Sequence, residues 1–497
     1  MLSIKGISFN IGSQDLFKES SFKLAKGERV GLVGPNGSGK STLLRLIVGE
    51  FSPEGGNIER QGLTIAYLPQ EIPEGSLNLT GIDYLGLNYS QTLASELGIE
   101  TILLEQTLSS MSGGEKSKIA FLALSSKKYD VYLLDEPTNN LDRESIEALE
   151  RFILASKATF IVVSHDRKFL DKTVRKILEI NPHTKKLAMY SGSYTEYADR
   201  KLRELEREEE EYRDHVEKVE GFKESIKDKK AWAEKGHSSP NTTDNDRLLA
   251  GVMSDRSTHI FSIAKNLERR LRRMQDAEPA KPLPKRKLSF QFLPIERSGS
   301  MVFDARNIVK KLGALTLGEY NFRVEYGDKI AILGKNGEGK TTLLEILVGK
   351  KKPDRGVLTI GANLVVGYLG QNPLGNEVDT VLSSMLHATI DDMTEARYIL
   401  SLFSLKDEDI NKRIRDLSPG ERSRLILARL VAQKPNCVVL DEPSNHLDLE
   451  ALEALEKALR SFAGTVIVVS HDRYFLEQIK PEKMYELTRS SIKLVTS

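Results

Sequence analysis

Two stretches of this 497-residue sequence fit G-x-x-x-x-G-K-[ST], a pattern that suits phosphate binding. In GPNGSGKS (34–41) and GKNGEGKT (334–341) the glycines let backbone N–H groups converge on phosphate oxygens. The helix start behind each loop favours negative charge. Gly34, Pro35, Asn36, Gly37, Ser38, Gly39, Lys40, Ser41 and Thr42 make one candidate cradle. Gly334, Lys335, Asn336, Gly337, Glu338, Gly339, Lys340, Thr341 and Thr342 make the other. Lys40 and Lys340 would reach the β- and γ-phosphates, and Ser41 and Thr341 would ligate Mg2+. Asp135 and Asp441 end apolar runs, where a carboxylate can hold that ion directly or through water. Glu136 and Glu442 follow at once and could polarise an attacking water, giving hydrolysis of the γ-phosphate. Gln70 and Gln371 could touch both metal and water, and His165 and His471, in VSHDR, could touch the γ-phosphate.

Each group alone has a plainer reading: a glycine-rich turn, an acidic strand end, a surface glutamine, a structural histidine. Repetition decides against it. YLPQ ending at Gln70 returns as YLGQ ending at Gln371, MSGGEKSK as LSPGERSR, LLDEPTNNLD as VLDEPSNHLD, and VVSHDRKFL as VVSHDRYFL. Ser112 to Asp135 is 23 residues, as is Ser418 to Asp441; Asp135 to His165 is 30, as is Asp441 to His471. The chain is a tandem duplication.

The elements that must position these groups are those of an α/β fold. Apolar runs of strand type (RVGLVG, VYLLD, TFIVVSH and their counterparts) alternate with helical patterns such as SKIAFLALSS. This predicts, in each copy, a mainly parallel sheet flanked by helices, with ligands at the carboxyl ends of the strands. The expected organisation is a first domain over 1–195, a charged helical hairpin over 196–297, and a second domain over 298–497. Leu205, Tyr212, Val219 and Ile226 hold one heptad position in the first arm, with Leu202 and Val216 on the other. Ile260, Leu267 and Met274 alternate with Ala264 and Leu271 in the second arm, beyond the polar turn GHSSPNTTDND. Such a charge-rich stretch reads first as a solvated spacer. Its basic exit, PAKPLPKRK, and the only tryptophan, Trp232, which either stacks on RNA or staples the arms, add to that.

Lysine and arginine total 72 against 71 acidic residues, so bulk charge does not select naked DNA or an anionic membrane surface. No apolar run is long enough to span a bilayer. The start MLSIKGISFN shows no leader pattern, and a cytoplasmic protein is expected. The single cysteine, Cys437, cannot form an internal disulfide and sits in an apolar run as a small buried residue.

In order, the phosphate loop, YLPQ/YLGQ, MSGGE/LSPGE, DEPTNNLD/DEPSNHLD and VSHDR resemble the nucleotide-binding domains of ABC ATPases. The N-[NH]-L-D endings, two copies in one chain and the interdomain hairpin are similar to the ABC-F family. That resemblance implies a monomer whose two domains form a head-to-tail sandwich around two ATP molecules with Mg2+. Ser112, Gly113 and Gly114 would cap the ATP on the Lys340 loop, and Ser418, Pro419 and Gly420 the ATP on the Lys40 loop. It further implies a ribosome partner, bound near the exit site, with the hairpin reaching toward the P-site tRNA. The role is then regulation of translation or relief of stalls, or else ribosome protection against antibiotics. Pro419 departs from the family pattern by lacking an N–H. Ile11 and Leu312 stand where the family often stacks an aromatic on adenine. An energy-coupling subunit of a membrane transporter is the alternative of another class, but it predicts no long hairpin between copies. DNA-repair ATPases carry their coiled coil inside the ATPase domain, so free DNA is not an expected partner.

Overall fold

A computed structural model describes the chain except residues 13, 61, 87–88, 183, 238–258, 261, 264, 275–287, 295, 314, 375–377, 390–391, 406–407 and 496–497, and describes the backbone alone at 14 and 232–237. It divides into two compact units, Met1–Thr195 with Lys287–Ser497, and Glu196–Arg286.

In the first unit both copies carry the same strands in the same order. The first copy has β1 (Leu2–Ile11), β2 (Gln14–Leu24), β3 (Arg29–Val33), β4 (Gly55–Glu59), β5 (Ile65–Leu68), β6 (Val131–Asp135), β7 (Thr159–Val163), β8 (Lys176–Ile180) and β9 (Leu187–Ser191). The second has β10 (Met301–Leu312), β11 (Leu315–Glu325), β12 (Lys329–Leu333), β13 (Arg355–Ile360), β14 (Val366–Leu369), β15 (Cys437–Asp441), β16 (Thr465–Val469), β17 (Lys483–Leu487) and β18 (Ile492–Val495). The main sheets run β5-β6-β7-β3-β8-β9 and β14-β15-β16-β12-β17-β18. All their pairs are parallel except the last, β8 with β9 and β17 with β18. Small antiparallel sheets β2-β1-β4 and β11-β10-β13 pack beside them.

The parallel order follows from composition. VYLLD and TFIVV, like CVVLD and TVIVV, are buried at every residue, as strands covered on both faces must be. Leu32, Leu43, Leu133 and Ile161 lie in one core of the first copy; Ile332, Leu343, Val439 and Ile467 are their second-copy equivalents. A further core under helices Met393–Leu402 and Pro419–Ala432 takes in Leu288 and Phe292, residues upstream of 298. Phe290 and Phe292 pack edge to face at 5.4 Å, and Phe292 meets Phe462 at 5.2 Å.

In the second unit the long helix Tyr194–His237 supplies one arm. Lys230 pairs with Glu268 at 2.6 Å and the Arg270 guanidinium lies over the Phe222 ring at 5.2 Å, so the two arms run antiparallel. Tyr212, Val219 and Ile226 turn inward on the first arm. Leu202 is exposed instead of lining the seam, and Ile263 joins Ile260, Leu267, Leu271 and Met274 on the covered face of the second arm. Ala264, most of the polar turn 236–246, the basic exit 279–287 and the Trp232 side chain lie outside the described residues.

Candidate functional site

Strand order brings the candidate groups together before any side chain is considered. β6, β7 and β3 are neighbours, so Asp135–Glu136, His165 and the phosphate loop emerge at one edge of the sheet. β15, β16 and β12 do the same for Asp441–Glu442, His471 and the second loop. Each loop ends on a left-handed glycine that caps its helix, Gly39 at φ 97° and Gly339 at φ 96°. A Cβ on Gly339 would sit 2.6 Å from Leu317, so both the conformation and the packing demand glycine.

The loop lysines turn into their own loops. Lys40 Nζ donates to the carbonyls of Gly34 (2.9 Å) and Pro35 (3.3 Å) and to Asn36 Oδ1 (3.4 Å). Lys340 Nζ donates to the carbonyls of Gly334 (2.6 Å) and Lys335 (3.0 Å) and lies 3.2 Å from His471 Nε2. Burial pulls both lysines below the usual ammonium range, opposed by Glu136 and Asp135 around Lys40 and by Glu442 and Asp441 around Lys340. Burial, with the Lys340 ammonium, pushes His471 down to about 3, leaving a neutral imidazole.

The carboxylates sit in matching places. Asp135 and Asp441 are buried, and burial raises both above the ordinary carboxylate range. The Ser41 hydroxyl beside Asp135, and the Thr341 hydroxyl beside Asp441, oppose that rise. Gln371 Nε2 donates to Thr341 Oγ1 at 3.1 Å; Gln371 and Gln70, just beyond β14 and β5, are both exposed. Glu136 and Glu442 hold φ near +50°. The backbone N–H of His165 donates to Glu136 Oε2 and that of His471 to Glu442 Oε2, each at 3.2 Å. The other carboxylate oxygen, Oε1, is buried in both residues with no hydrogen bond among the described residues, facing His165 Nε2 at 3.3 Å in Glu136 and His471 Nε2 at 3.5 Å in Glu442. Burial raises Glu442 to about 7, against the pull of Lys340. Asp441 Oδ2 is likewise buried, with no hydrogen bond among the described residues.

These orphaned oxygens beside a loop hydroxyl suit a hard cation better than an apolar neighbour. Among the described residues no group of three or more His, Cys, Asp or Glu could hold a metal by itself. A Mg2+ fits that pattern, since it keeps several waters and takes the rest of its shell from substrate phosphates.

A cavity of about 790 Å³ joins the two copies, within the size range of small-molecule sites. Ser112, Gly113 and Gly114 line it from the first copy; Lys340, Thr341, Gln371, Asp441, Glu442 and His471 line it from the second. Ser112 starts helix Gly113–Ser125 in a capping box with Glu115, which fixes its hydroxyl at the helix mouth. Asn336 Nδ2 donates to the Asn140 carbonyl across the junction at 2.6 Å, and Lys335 pairs with Glu144 at 2.7 Å. Leu312, Leu315 and Leu317 form an aliphatic wall of the same cavity. Ile11 is more than half exposed.

A second cavity lies beside Lys40. Gly34, Lys40, Ser164 and His165 meet Leu449 of the second copy around a cavity of about 30 Å³. Ser418, Pro419 and Gly420 do not line it. Pro419 occupies the first turn of its helix, behind the Ser418 cap and its box with Glu421, where a missing N–H disturbs no intrahelical bond.

Several neighbours of these groups escaped the sequence reading. Tyr67 donates to Asp135 Oδ2 at 3.3 Å, and the tyrosine that opens both YLPQ and YLGQ was its signal. Asp142 acts on Lys340, and Asp448 on Lys40, each from the opposite copy. Asn140 holds φ 61° and offers its carbonyl to Asn336, whereas its counterpart His446 closes a short helical turn with negative φ and is half-buried.

A family model described as ABC transporter matches residues 17–139 and 317–445. The ribosome protection protein VmlR of Bacillus subtilis (strain 168) is 30% identical over 495 residues, covering 97% of this chain and 86% of the relative. ABC transporter F family member 2 of Arabidopsis thaliana is 29% identical over 536 residues, covering 96% and 75%. The energy-dependent translational throttle protein EttA of Haemophilus influenzae (strain ATCC 51907 / DSM 11121 / KW20 / Rd) is 30% identical over 535 residues, covering 93% and 88%.

Proposed function

This chain belongs to the ABC-F family of tandem ABC ATPases, and from that premise we propose that it hydrolyses ATP at two sites between its copies to drive an action on the ribosome. The observation that carries the reading is the cavity in which Ser112, Gly113 and Gly114 face the phosphate loop of Lys340. A single polypeptide that supplies both halves of a nucleotide site needs no second copy, so the working form is a monomer.

The N–H groups of loops 34–41 and 334–341 donate to the phosphate oxygens of ATP, with Lys40 and Lys340 leaving their carbonyl partners for the β- and γ-phosphates. Ser41 with Asp135, and Thr341 with Asp441, would hold Mg2+, helped by Gln371 and, after a movement of its side chain, Gln70. When bound, that ion neutralises charge on the β- and γ-oxygens. Glu136 and Glu442 accept the proton of the attacking water through their buried Oε1 atoms; the water oxygen bonds to the γ-phosphorus and ADP leaves with the bridging oxygen. The raised pKa of Glu442 brings its basicity nearer to neutrality. His165 and His471, neutral in the second case, orient the γ-phosphate.

The relatives' names, ribosome protection and translational throttle, support a ribosomal partner. The expected contacts are rRNA and the P-site tRNA, with the hairpin unit Glu196–Arg286 as the reaching element. Among the described residues no helix is long and apolar enough to cross a membrane. The test is the double substitution Glu136→Gln, Glu442→Gln. Steady-state hydrolysis should fall at least about a hundredfold while ATP still binds. The variant should pellet with purified ribosomes only when ATP is present. Hydrolysis near wild type sinks the glutamate assignment; a variant that binds ATP but never pellets sinks the ribosomal partner.

A further inference from the structure

The duplication supplies its own control for surface charge. Residues 50–55 (EFSPEG) and 350–355 (KKKPDR) are the same turn. It is held the same way in each copy, with Glu54 N donating to the Ser8 carbonyl at 2.9 Å and Asp354 N to the Val309 carbonyl at 2.8 Å. The strands after them, β4 and β13, pair with β1 and β10 in like register. Yet the first turn carries two carboxylates and no cation, net −2, and the second four cations and one carboxylate, net +3. Lys310 and Lys311 on the adjoining strand replace Phe9 and Asn10 and extend the difference.

Folding does not require these cations. In the first copy Phe51 leaves the turn to stack on Phe9 at 5.8 Å, and Arg45 faces Glu50 at 3.8 Å. In the second copy lysine stands in place of Phe51. The turn's carboxylate, Asp354, is held by the adjoining strand, accepting from the Lys311 backbone at 2.7 Å and from Lys310 Nζ at 3.2 Å. Lys350, Lys351, Lys352 and Arg355 are all exposed. Lys351 reaches Glu345 and Lys350 lies 4.6 Å from the centre of the Tyr368 ring, which pre-orders two of the four heads. Pairs this exposed hold little energy and exchange readily for a polyanion.

We propose that the turn 350–355 of the second copy is a docking surface for the phosphate backbone of RNA. The inference rests on the ribosomal reading above and assigns this face to ribosomal RNA. Lysine heads are compact point charges that suit phosphates and carry no base readout. An acidic protein surface is the other polyanion available, and the salt dependence separates the two.

The experiment compares three full-length chains, all in the Glu136→Gln, Glu442→Gln background with ATP. They are the parent, Lys350→Gln with Lys352→Gln and Arg355→Gln, and a control with Lys26→Gln, Lys128→Gln and Lys157→Gln, exposed lysines of the first copy. Affinity for purified ribosomes and for protein-free ribosomal RNA is measured from about 0.05 to 0.2 M salt. The surface variant should bind both at least about tenfold more weakly at the upper salt, with a log–log salt slope flatter by about 2. The control should match the parent. Unchanged affinity and slope for the surface variant, beside a parent that binds, overturns the proposal. So does weakening toward ribosomes alone with an unchanged slope, which assigns the face to a protein. An equal effect of the control reduces the surface to bulk charge and overturns it too. A parent that fails on ribosomes defeats the ribosomal reading instead, and protein-free RNA then decides on this surface alone.

Discussion

Gly114 shows how one residue records a contact made far along the chain. Its φ is ordinary, so conformation does not demand glycine, yet an added Cβ would stand 2.6 Å from Asn336 Nδ2 and 2.8 Å from the Asn140 carbonyl. The neighbour Gly113 has more room, its nearest contact being the Asn140 side chain at 3.3 Å. Overpacking of this kind costs about 1–3 kcal/mol. In a Glu136→Gln chain, where turnover comes from the Lys340 side, Gly114→Ala should lower steady-state ATPase by about tenfold or more. Gly113→Ala should change it by less than about twofold, and similar losses in both variants would show that crowding at the junction is not the reason for Gly114. Sequence exposed the motif but not this cause. Phosphate chemistry restricts loop glycines, lysines and strand-end carboxylates to a few residue types, so they are legible. A glycine kept for closeness to another copy looks like any helix-start glycine until Asn336 is placed against it.

At the scale of elements, the helices that follow the two histidines meet across the copies. Arg167 of helix Arg167–Thr173 reaches Glu456 at 3.6 Å and Glu453 at 3.3 Å, and Arg473 of helix Arg473–Ile479 reaches Glu150. Arg167 with Glu456 and Arg473 with Glu150 are equivalent pairs in the duplication, so the junction is a self-complementary face, as in a two-fold dimer. Glu150 and Glu456 are buried, although in sequence each reads as one more charge on an amphipathic helix. The apolar strands were legible from composition, since burial on both faces leaves no other choice of residues. The charged junction was not, because periodicity cannot tell a solvated carboxylate from one paired with the other copy. Between these pairs burial, together with Asp472, raises Asp166 to about 6, partly offset by Arg473. A carboxyl raised from an unfolded value near 3.9 contributes stability that is complete below that value and lost as pH rises through about 6. Asp166→Asn keeps the cap on the Phe169 N–H and removes the charge. It should stabilise the chain by on the order of 1–2 kcal/mol in urea unfolding at pH 7.5, with the gain shrinking toward pH 4. A gain that is flat across this range, or a loss at pH 7.5, rules out Asp166 as a buried charge under strain.

For the whole molecule, duplication supplies the residues of two proposed sites but does not make them equal. Around Lys340 the first copy closes in with Asn140 and Glu144, and the cavity is large. Around Lys40 the second copy contributes Leu449 to a cavity of about 30 Å³, and its signature loop carries Pro419, one donor fewer for a γ-phosphate. A γ-phosphate oxygen that loses a charge-assisted N–H forfeits roughly 1.5–3 kcal/mol. The Lys340 site should therefore hold its nucleotide longer once chemistry is blocked. With Glu442→Gln alone, close to one ATP per chain should survive rapid gel filtration. With Glu136→Gln alone, retention should fall to about a third of that or less, because the blocked site is the one with the weaker cap. Adding Pro419→Gly to Glu136→Gln should restore part of the difference by returning the donor. Equal retention in the two single variants would mean that closure, once complete, erases the asymmetry. Lower retention in Glu442→Gln would place the tighter site at Lys40 and reverse the order in which the two nucleotides leave.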